Sequence, residues 1–309
     1  MYGYFGPEGT FTHQAFLALG LADDQARAYA TVPAALAGVR TGEVEASVVP
    51  IENSVEGGVS ATLDYLGNPD EAPLRIVREV VIPVRFELAV RPSTTRLDQV
   101  KCVITHPHAA AQCRGWLASH VPQASVTERG STAGAASEVA RPDSPFDAAL
   151  CAPVARELYG LVALASDVAD ASDAVTRFVM VARPGPTPPR TGADKTTLVA
   201  YMHADRPGAL LEILEQLAVR GVNMCRIESR PTKTTLGSYC FSIDAEGHLD
   251  DARLAEALVG LHRVCQKVLF LGSYPRADAI VPAIPDGARD TDYAGAHAWL
   301  DGLRDRGPA

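Results

Sequence analysis

The chain has 309 residues, more than one hydrophobic core usually organises, so two domains or a lobed domain with an appendage are expected. Hydrophobic residues make up 47% and charged residues 21%, which excludes disordered and fibrous classes. A net charge of -9 with no Lys/Arg run argues against nucleic acid as a partner, because phosphate binding needs a basic face. An acidic chain that binds a small anion must instead concentrate donors locally.

No apolar run approaches the roughly 20 residues that cross a bilayer, and Met1 to Glu8 lacks the basic and apolar regions of a signal peptide. No membrane association and a cytoplasmic location are expected. The six cysteines (Cys102, Cys113, Cys151, Cys225, Cys240, Cys265) form no C-x-x-C pair and read as small apolar fillers.

From the N-terminus, strand-like runs at Tyr2 to Phe5, Ala46 to Val49, Cys102 to Thr105, Ala148 to Leu150 and Val162 to Ala165 alternate with helix-like stretches. The helices are expected at Thr12 to Leu19, Pro33 to Arg40, Ala109 to Ser119 and Thr132 to Ala140. Such alternation predicts α/β architecture with mostly parallel strands. The run Val80 to Val90 is too long for one strand, and Pro83 should break it, so a crossing between two lobes is placed there. A return near Leu164 to Asp170 would leave a ligand cleft between the lobes. The Pro- and Gly-rich stretch Arg183 to Gly192 forbids helix and central strand and reads as a linker. After it, strands (Thr196 to Met202, Met224 to Glu228, Ser238 to Asp244, Val268 to Leu271) and helices (Pro207 to Ala218, Asp250 to Leu261) follow the order βαββαβ of a ferredoxin-like domain. Asp205 is the expected cap of the first of these helices. The remaining tail predicts one short helix through Tyr293, Ala296, Trp299, Leu300 and Leu303.

Several segments could carry chemistry. Gly6-Pro7-Glu8-Gly9-Thr10-Phe11-Thr12 joins a strand end to a helix start, where N–H groups and the helix dipole suit an anion; its spacing is that of neither a dinucleotide nor a Walker loop. Pro50 to Gly58 follows a strand and offers Asn53 and Ser54, either as ligand groups or as an ordinary turn. Thr105-His106-Pro107-His108 has poor spacing for a metal, and Gln112 lies one turn on from His108; polar lining or capping by Thr105 and Gln112 is the preferred reading. Ser131-Thr132 reads as a hydroxyl pair at a helix start. Thr176-Arg177-Phe178 brings a hydroxyl and a guanidinium to a strand beside an acidic loop, where they could grip a small acid or simply flank a buried strand.

Gly6-Pro7-Glu8-Gly9-Thr10-Phe11, Pro50-Ile51-Glu52-Asn53-Ser54, Thr105-His106-Pro107, Ser131-Thr132-Ala133, Tyr159-Gly160-Leu161 and Thr176-Arg177-Phe178 stand in the order found in prephenate dehydratases. The chain resembles that family over residues 1 to about 275, its regulatory ACT domain included. Gly208-Ala209-Leu210-Leu211 and Glu228-Ser229-Arg230-Pro231 are similar to the phenylalanine-sensing motifs of such domains. The resemblance implies a two-lobed, type II periplasmic-binding-protein-like catalytic domain over 1–183, with lobe 1 at about 1–80 and 165–183 and lobe 2 at about 81–164. A linker at 184–194, a ferredoxin-like ACT domain at 195–275 and a tail at 276–309 would follow.

The implied reaction is loss of CO2 and water from prephenate to give phenylpyruvate, a hydro-lyase step in phenylalanine biosynthesis that needs no metal or other cofactor. By the same resemblance Thr176 would donate to the leaving hydroxyl and Arg177 would hold the carboxylate that stays. Thr10, Asn53, Ser54, Thr105, Gln112, Ser131, Thr132 and Phe178 would line the substrate. Gly208, Ala209, Leu210, Leu211, Asn223, Glu228, Ser229, Arg230 and Pro231 would bind L-phenylalanine in a homo-oligomer, a dimer or tetramer. The chain starts directly at its first strand, as in family members without a chorismate mutase region, and no mutase activity is expected. It departs from the family's usual residues at Ala174 (Asn), Gly134 (Glu) and Cys225 (Thr). Arogenate as substrate, and a non-catalytic amino-acid sensor, are the competing readings.

Overall fold

The computed structural model describes residues 1–232 and 238–304. The tail expected at 276–309 therefore extends, in its last five residues, outside the described part, as do residues 233–237 between two strands of the C-terminal domain. The described chain folds into two compact units, Met1–Thr62 with Val80–Met180, and Leu63–Glu79 with Val181 onward.

The first unit carries two sheets. One is built from β1 (Tyr2–Phe5), β2 (Ala26–Tyr29), β3 (Ala46–Asn53), the short β4 (Gly57–Gly58), β5 (Arg75–Pro83) and, much later in the chain, β11 (Val175–Ala182). Their order is β2-β1-β3-β11-β5, with β4 paired to β3. β1 runs parallel to both β2 and β3, and α1 (Phe11–Ala18) and α2 (Val32–Thr41) follow β1 and β2 as crossovers. Thr10 and Thr31 cap these helices through their hydroxyls, and Gly42, left-handed at φ 80°, ends the second. β11 thus returns late in the chain to a place between β3 and β5.

The second sheet has the order β10-β6-β9-β7-β8, from β6 (Glu87–Val90), β7 (Cys102–Thr105), β8 (Ser125–Glu128), β9 (Ala148–Cys151) and β10 (Val162–Ala165). Period-two alternation sends Leu88, Val90, Val103, Ala148 and Leu150 into one core with Ala109, Cys113 and Leu117. Ala89, Ile104, Ala149 and Cys151 enter the other, with Ala133, Ala136, Val139 and Ala155. A sheet buried on both faces needs apolar residues at nearly every position, which is why Leu88–Val90 and Ala148–Cys151 read as continuous apolar runs. The helix expected at Ala109 to Ser119 is two helices, Pro107–Gln112 and Arg114–His120, broken at Cys113, whose φ of -115° leaves the helical region. In chain order the further helices are α3 (Ser60–Leu66), whose residues from Leu63 on belong to the other unit, and, in this unit, α4 (Pro107–Gln112), α5 (Arg114–His120), α6 (Thr132–Ala140) and α7 (Pro153–Leu158).

The second unit is centred on an antiparallel sheet ordered β13-β14-β12-β15, from β12 (Asp194–Tyr201), β13 (Met224–Pro231), β14 (Tyr239–Glu246) and β15 (Lys267–Pro275). With α8 (Ala209–Ala218) and α9 (Ala252–Val264) it realises the βαββαβ order. Leu198, Ala200, Phe241 and Ile243 pack on Ile213, Leu217, Leu254 and Leu261. α8 starts at Ala209 with Gly208 at its N-cap, left-handed at φ 86°, so Asp205 is not the cap. Leu63–Glu79 belongs to this unit through side-chain bonds: Arg230 Nε donates to Asp64 (2.8 Å), Tyr201 to the Gly67 carbonyl, and Lys195 Nζ to both Glu79 oxygens (3.1 and 3.0 Å). Contiguous sequence thus divides the chain at 184–194, whereas packing gives this early segment to the later unit. The tail forms α10 (Asp290–Arg304), joined by Asp290, which accepts from Ala252 N–H and Arg190. No described helix is long and apolar enough to cross a membrane.

In β15 the ladder with β12 skips Leu271, and Gly272 takes φ 134°, a conformation L side chains rarely adopt. A Cβ at this position would overlap the Ile76 carbonyl oxygen. Gly272→Ala is expected to destabilise the protein by about 2–4 kcal/mol, read as a lowered denaturation midpoint at unchanged m-value.

Candidate active site

A cavity of about 370 Å³ opens in the first unit, lined by residues from both of its sheets. Three helix starts border it: Thr10 and Phe11 at α1, His106 and His108 at α4, Ser131 and Thr132 at α6. Thr10 Oγ1 accepts from His13 N–H and Ser131 Oγ from Gly134 N–H, so capping fixes both hydroxyls. The remaining first-turn N–H groups of α1 and α6 lack intrahelical partners, and with the helix dipole they favour an anion. The α1 entrance is held from behind by buried His13, whose Nδ1 accepts from Gly9 N–H (3.2 Å) while Nε2 bonds Asp23 (2.9 Å). Phe11, Phe86 and Phe178 supply an apolar wall, the first two in edge-on contact.

Thr176 enters from β11 and Asn53 from the end of β3, neighbouring strands of the first sheet. Asn53 Nδ2 donates to Thr176 Oγ1 (2.8 Å), and Asn53 Oδ1 accepts from the N–H groups of Val55 (2.9 Å) and Glu56 (3.0 Å). Since Thr176 Oγ1 accepts that bond, its own O–H is directed elsewhere; among the described residues no protein group takes it. Thr176 is 9% exposed and borders the cavity.

Arg177 is not where the sequence reading placed it. Consecutive strand residues point to opposite faces, so with Thr176 and Phe178 on the cavity, Arg177 faces away. Its side chain is buried, 3.4 Å from Glu52 Oε2, just as Glu52 and Asn53 alternate on the neighbouring strand. Arg177 therefore braces the back of the sheet, on the face opposite Thr176 and Phe178. Thr105 is also displaced from its expected role: fully buried, it donates to the Leu150 carbonyl (2.9 Å) and ties β7 to β9. Ser54 clasps β11 through its Oγ, which accepts from Val175 N–H (3.0 Å), and is absent from the lining. Thr10, Asn53, Gln112, Ser131, Thr132, Thr176 and Phe178 are brought together around the cavity.

Glu56, His106 and His108 also line it, though none was singled out as a site residue. His106, not Thr105, caps α4: its Nδ1 accepts from His108 N–H (3.2 Å), leaving the proton of a neutral ring on Nε2. Burial, aided by neighbouring His108, pushes the His106 pKa below the usual histidine value, which favours that neutral ring at neutral pH. The pattern Thr-His-Pro-His before a helix carried the capping signal, but nothing local reveals that Glu56 lies within reach of His108. Among the lining residues there is no Lys or Arg.

The family model for prephenate dehydratase matches residues 2–186, and that for the ACT domain residues 196–263. The chain belongs to the prephenate dehydratase family. A prephenate dehydratase of Amycolatopsis methanolica is 47% identical over 298 residues, 96% of this chain and 95% of the relative. The crystal structure of prephenate dehydratase in complex with L-Phe from Arthrobacter aurescens is 48% identical, covers 98% of this chain and 99% of its own, and superposes with a TM-score of 0.91. GqqA, described as a novel type of quorum quenching acylase, is 31% identical over 89% of this chain and 97% of its own, with a TM-score of 0.78. As a family member the chain is a hydro-lyase with the two-lobed, type II periplasmic-binding-protein-like catalytic fold and a C-terminal ACT domain.

In the ACT domain the strand register divides the expected effector residues. Ile227 and Ser229 stand opposite Ile243 and Phe241 on the helix-packed face. Glu228 and Arg230 stand opposite Ser242 and Cys240 on the other, where Glu228 lies 3.5 Å from Arg230 and 3.7 Å from Arg226. Arg230 is paired with Asp64 (2.8 Å). Gly208 to Leu211 form the start of α8, with Leu211 58% exposed; Asn223 accepts from Glu246 N–H through its carbonyl (2.8 Å), and Pro231 closes β13.

The double duty of Asn53 yields a test. Asn53→Ala is expected to lower kcat by about tenfold or more, because the Thr176 hydroxyl loses its orienting donor, with a smaller change in KM. Steady-state kinetics on the purified variant measure both.

Proposed function

We propose that the cavity binds prephenate and converts it to phenylpyruvate, CO2 and water, with Thr176 as proton donor to the departing ring hydroxyl. The observation that carries this reading is the Asn53 to Thr176 bond, which occupies one acceptor position of the hydroxyl and leaves its proton for a ligand. Loss of the ring carboxylate as CO2 sends its bonding electrons into the ring, and the ring expels the hydroxyl, which takes one proton and leaves as water. Thr176 recovers its proton from solvent. Threonine is a weak acid, so its contribution is a hydrogen bond that strengthens as the leaving oxygen gains charge.

The two carboxylates of the substrate match a cavity furnished with helix starts, Gln112 and two histidines. Donors of this kind hold an anion without the tight clamp of a guanidinium. A clamp on the departing carboxylate would stabilise the ground state over the neutralising transition state and slow decarboxylation. The phenyl ring forming in the product would lie against Phe11, Phe86 and Phe178. Acylase chemistry requires a base beside its nucleophile, and the side chain bonded to Thr176 is an amide that takes up no proton.

The ACT domain would bind L-phenylalanine in a homo-oligomer whose subunits pair through these domains; the Arthrobacter relative was crystallised in complex with L-Phe. Support within this chain is the glycine-initiated α8 with exposed Leu210 and Leu211 near the start, an opening where a ligand can approach backbone.

Purified protein should convert prephenate to phenylpyruvate with a higher kcat/KM than it converts the amino analogue arogenate to phenylalanine; preference for arogenate would reassign the substrate. Thr176→Ala should lower kcat about a hundredfold, and Thr176→Ser should retain much of it; near-normal turnover by the alanine variant removes Thr176 from the chemistry. L-Phenylalanine at millimolar concentration should raise the melting temperature and alter the rate, a coupling of about 1–3 kcal/mol, and no response by either measure defeats the sensing role.

A further inference from the structure

A carboxylate stands inside the cavity that takes an anionic substrate. Glu56, in the loop between β3 and β4, reaches across the cleft to α4 of the other sheet. Its Oε2 accepts from His108 Nδ1 (2.8 Å) and its Oε1 from Gln112 Nε2 (3.3 Å). All three residues line the cavity. These donors belong to the small set available there to hold a substrate carboxylate, and Glu56 already occupies them.

The Glu56 backbone is fixed independently of this contact, since its N–H donates to Asn53 Oδ1 and Gly57 and Gly58 pair with Asn53 and Glu52. Its side chain is 39% exposed and that of His108 is 64% exposed, so the carboxylate can swing into water by side-chain rotation alone. Two carboxylates cannot share one pair of donors without strong repulsion. Gln112 also has its Oε1 buried without a partner, which leaves the amide one bond short while Glu56 holds its N–H side. A ligand bearing both a carboxylate and a hydroxyl can engage both ends of that amide; Glu56 engages one.

We propose that Glu56 is a gate carboxylate: in the ligand-free cavity it occupies the His108 and Gln112 donors, and a carboxylate of the incoming substrate displaces it. The proposal rests on the reading of the cavity as an anion site. Binding then includes breaking the Glu56 contacts, which weakens apparent affinity for every carboxylate ligand while leaving the chemistry at Thr176 to other groups.

The test compares full-length wild type with Glu56→Gln and Glu56→Ala. With prephenate, both variants are expected to show KM lowered about threefold or more, with the larger part of the change in KM rather than kcat. In calorimetry, phenylpyruvate, which keeps one carboxylate and needs no turnover, is expected to bind both variants more tightly than wild type by a similar factor. Raised KM and weaker phenylpyruvate binding would overturn the gate and make Glu56 a group that holds substrate. Unchanged values, or no phenylpyruvate binding by any of the three proteins, would also overturn it. If wild type binds phenylpyruvate but does not turn over prephenate, the proposed reaction fails while the calorimetric comparison still decides the gate.

Discussion

The placement of β11 beside β3 is the constraint on which the rest of the site depends. It sets Thr176 next to Asn53 on one face and Arg177 next to Glu52 on the other, so a single pairing creates both the oriented hydroxyl at the cavity and the brace behind it. Asn53 then spends its two ends differently: the amide N–H orients Thr176, and the carbonyl oxygen shapes the turn that carries Glu56. A residue 123 positions later in the chain thus completes a site begun at the end of the third strand, and the cavity exists only once that long loop has closed.

The charge economy of the cavity follows from the same geometry. In this acidic chain the cavity lining is without Lys or Arg. The helix starts at α1 and α6, whose caps Thr10 and Ser131 secure the local backbone, offer N–H groups already fixed in position, so little reorganisation is needed as charge moves in the reaction. Neutral His106 adds an N–H donor in place of a full positive charge. Such a site suits a decarboxylation, in which negative charge on one carboxylate must vanish.

Much of the architecture is legible in the sequence because it is written in short-range patterns. The runs Tyr2–Phe5, Cys102–Thr105 and Val162–Ala165 are strands at the bounds their composition suggests, and Pro83 ends β5 where a proline removes the ladder donor. Thr132–Ala140 is a helix with Ser131 as its cap. Short or weakly apolar elements such as β2 and β8, with exposed residues along their length, carry no such pattern and emerge only through pairing with a neighbour. The break at Cys113 has the same character: the run of alanines allows one helix, and packing produces two.

The sequence by itself determined the kind of protein: alternating α/β elements, a linker, a βαββαβ domain, and a set of polar residues at strand ends and helix starts. Tertiary structure alone decided which of those residues face the cavity. Arg177 and Thr105 lie beside cavity residues in sequence and yet point elsewhere, one onto Glu52 and the other onto the Leu150 carbonyl. Glu56 and His108 are 52 positions apart and meet across the cleft. The physical reason is that local sequence specifies the period of side-chain direction but not its phase; the phase is set by register against strands far away in the chain.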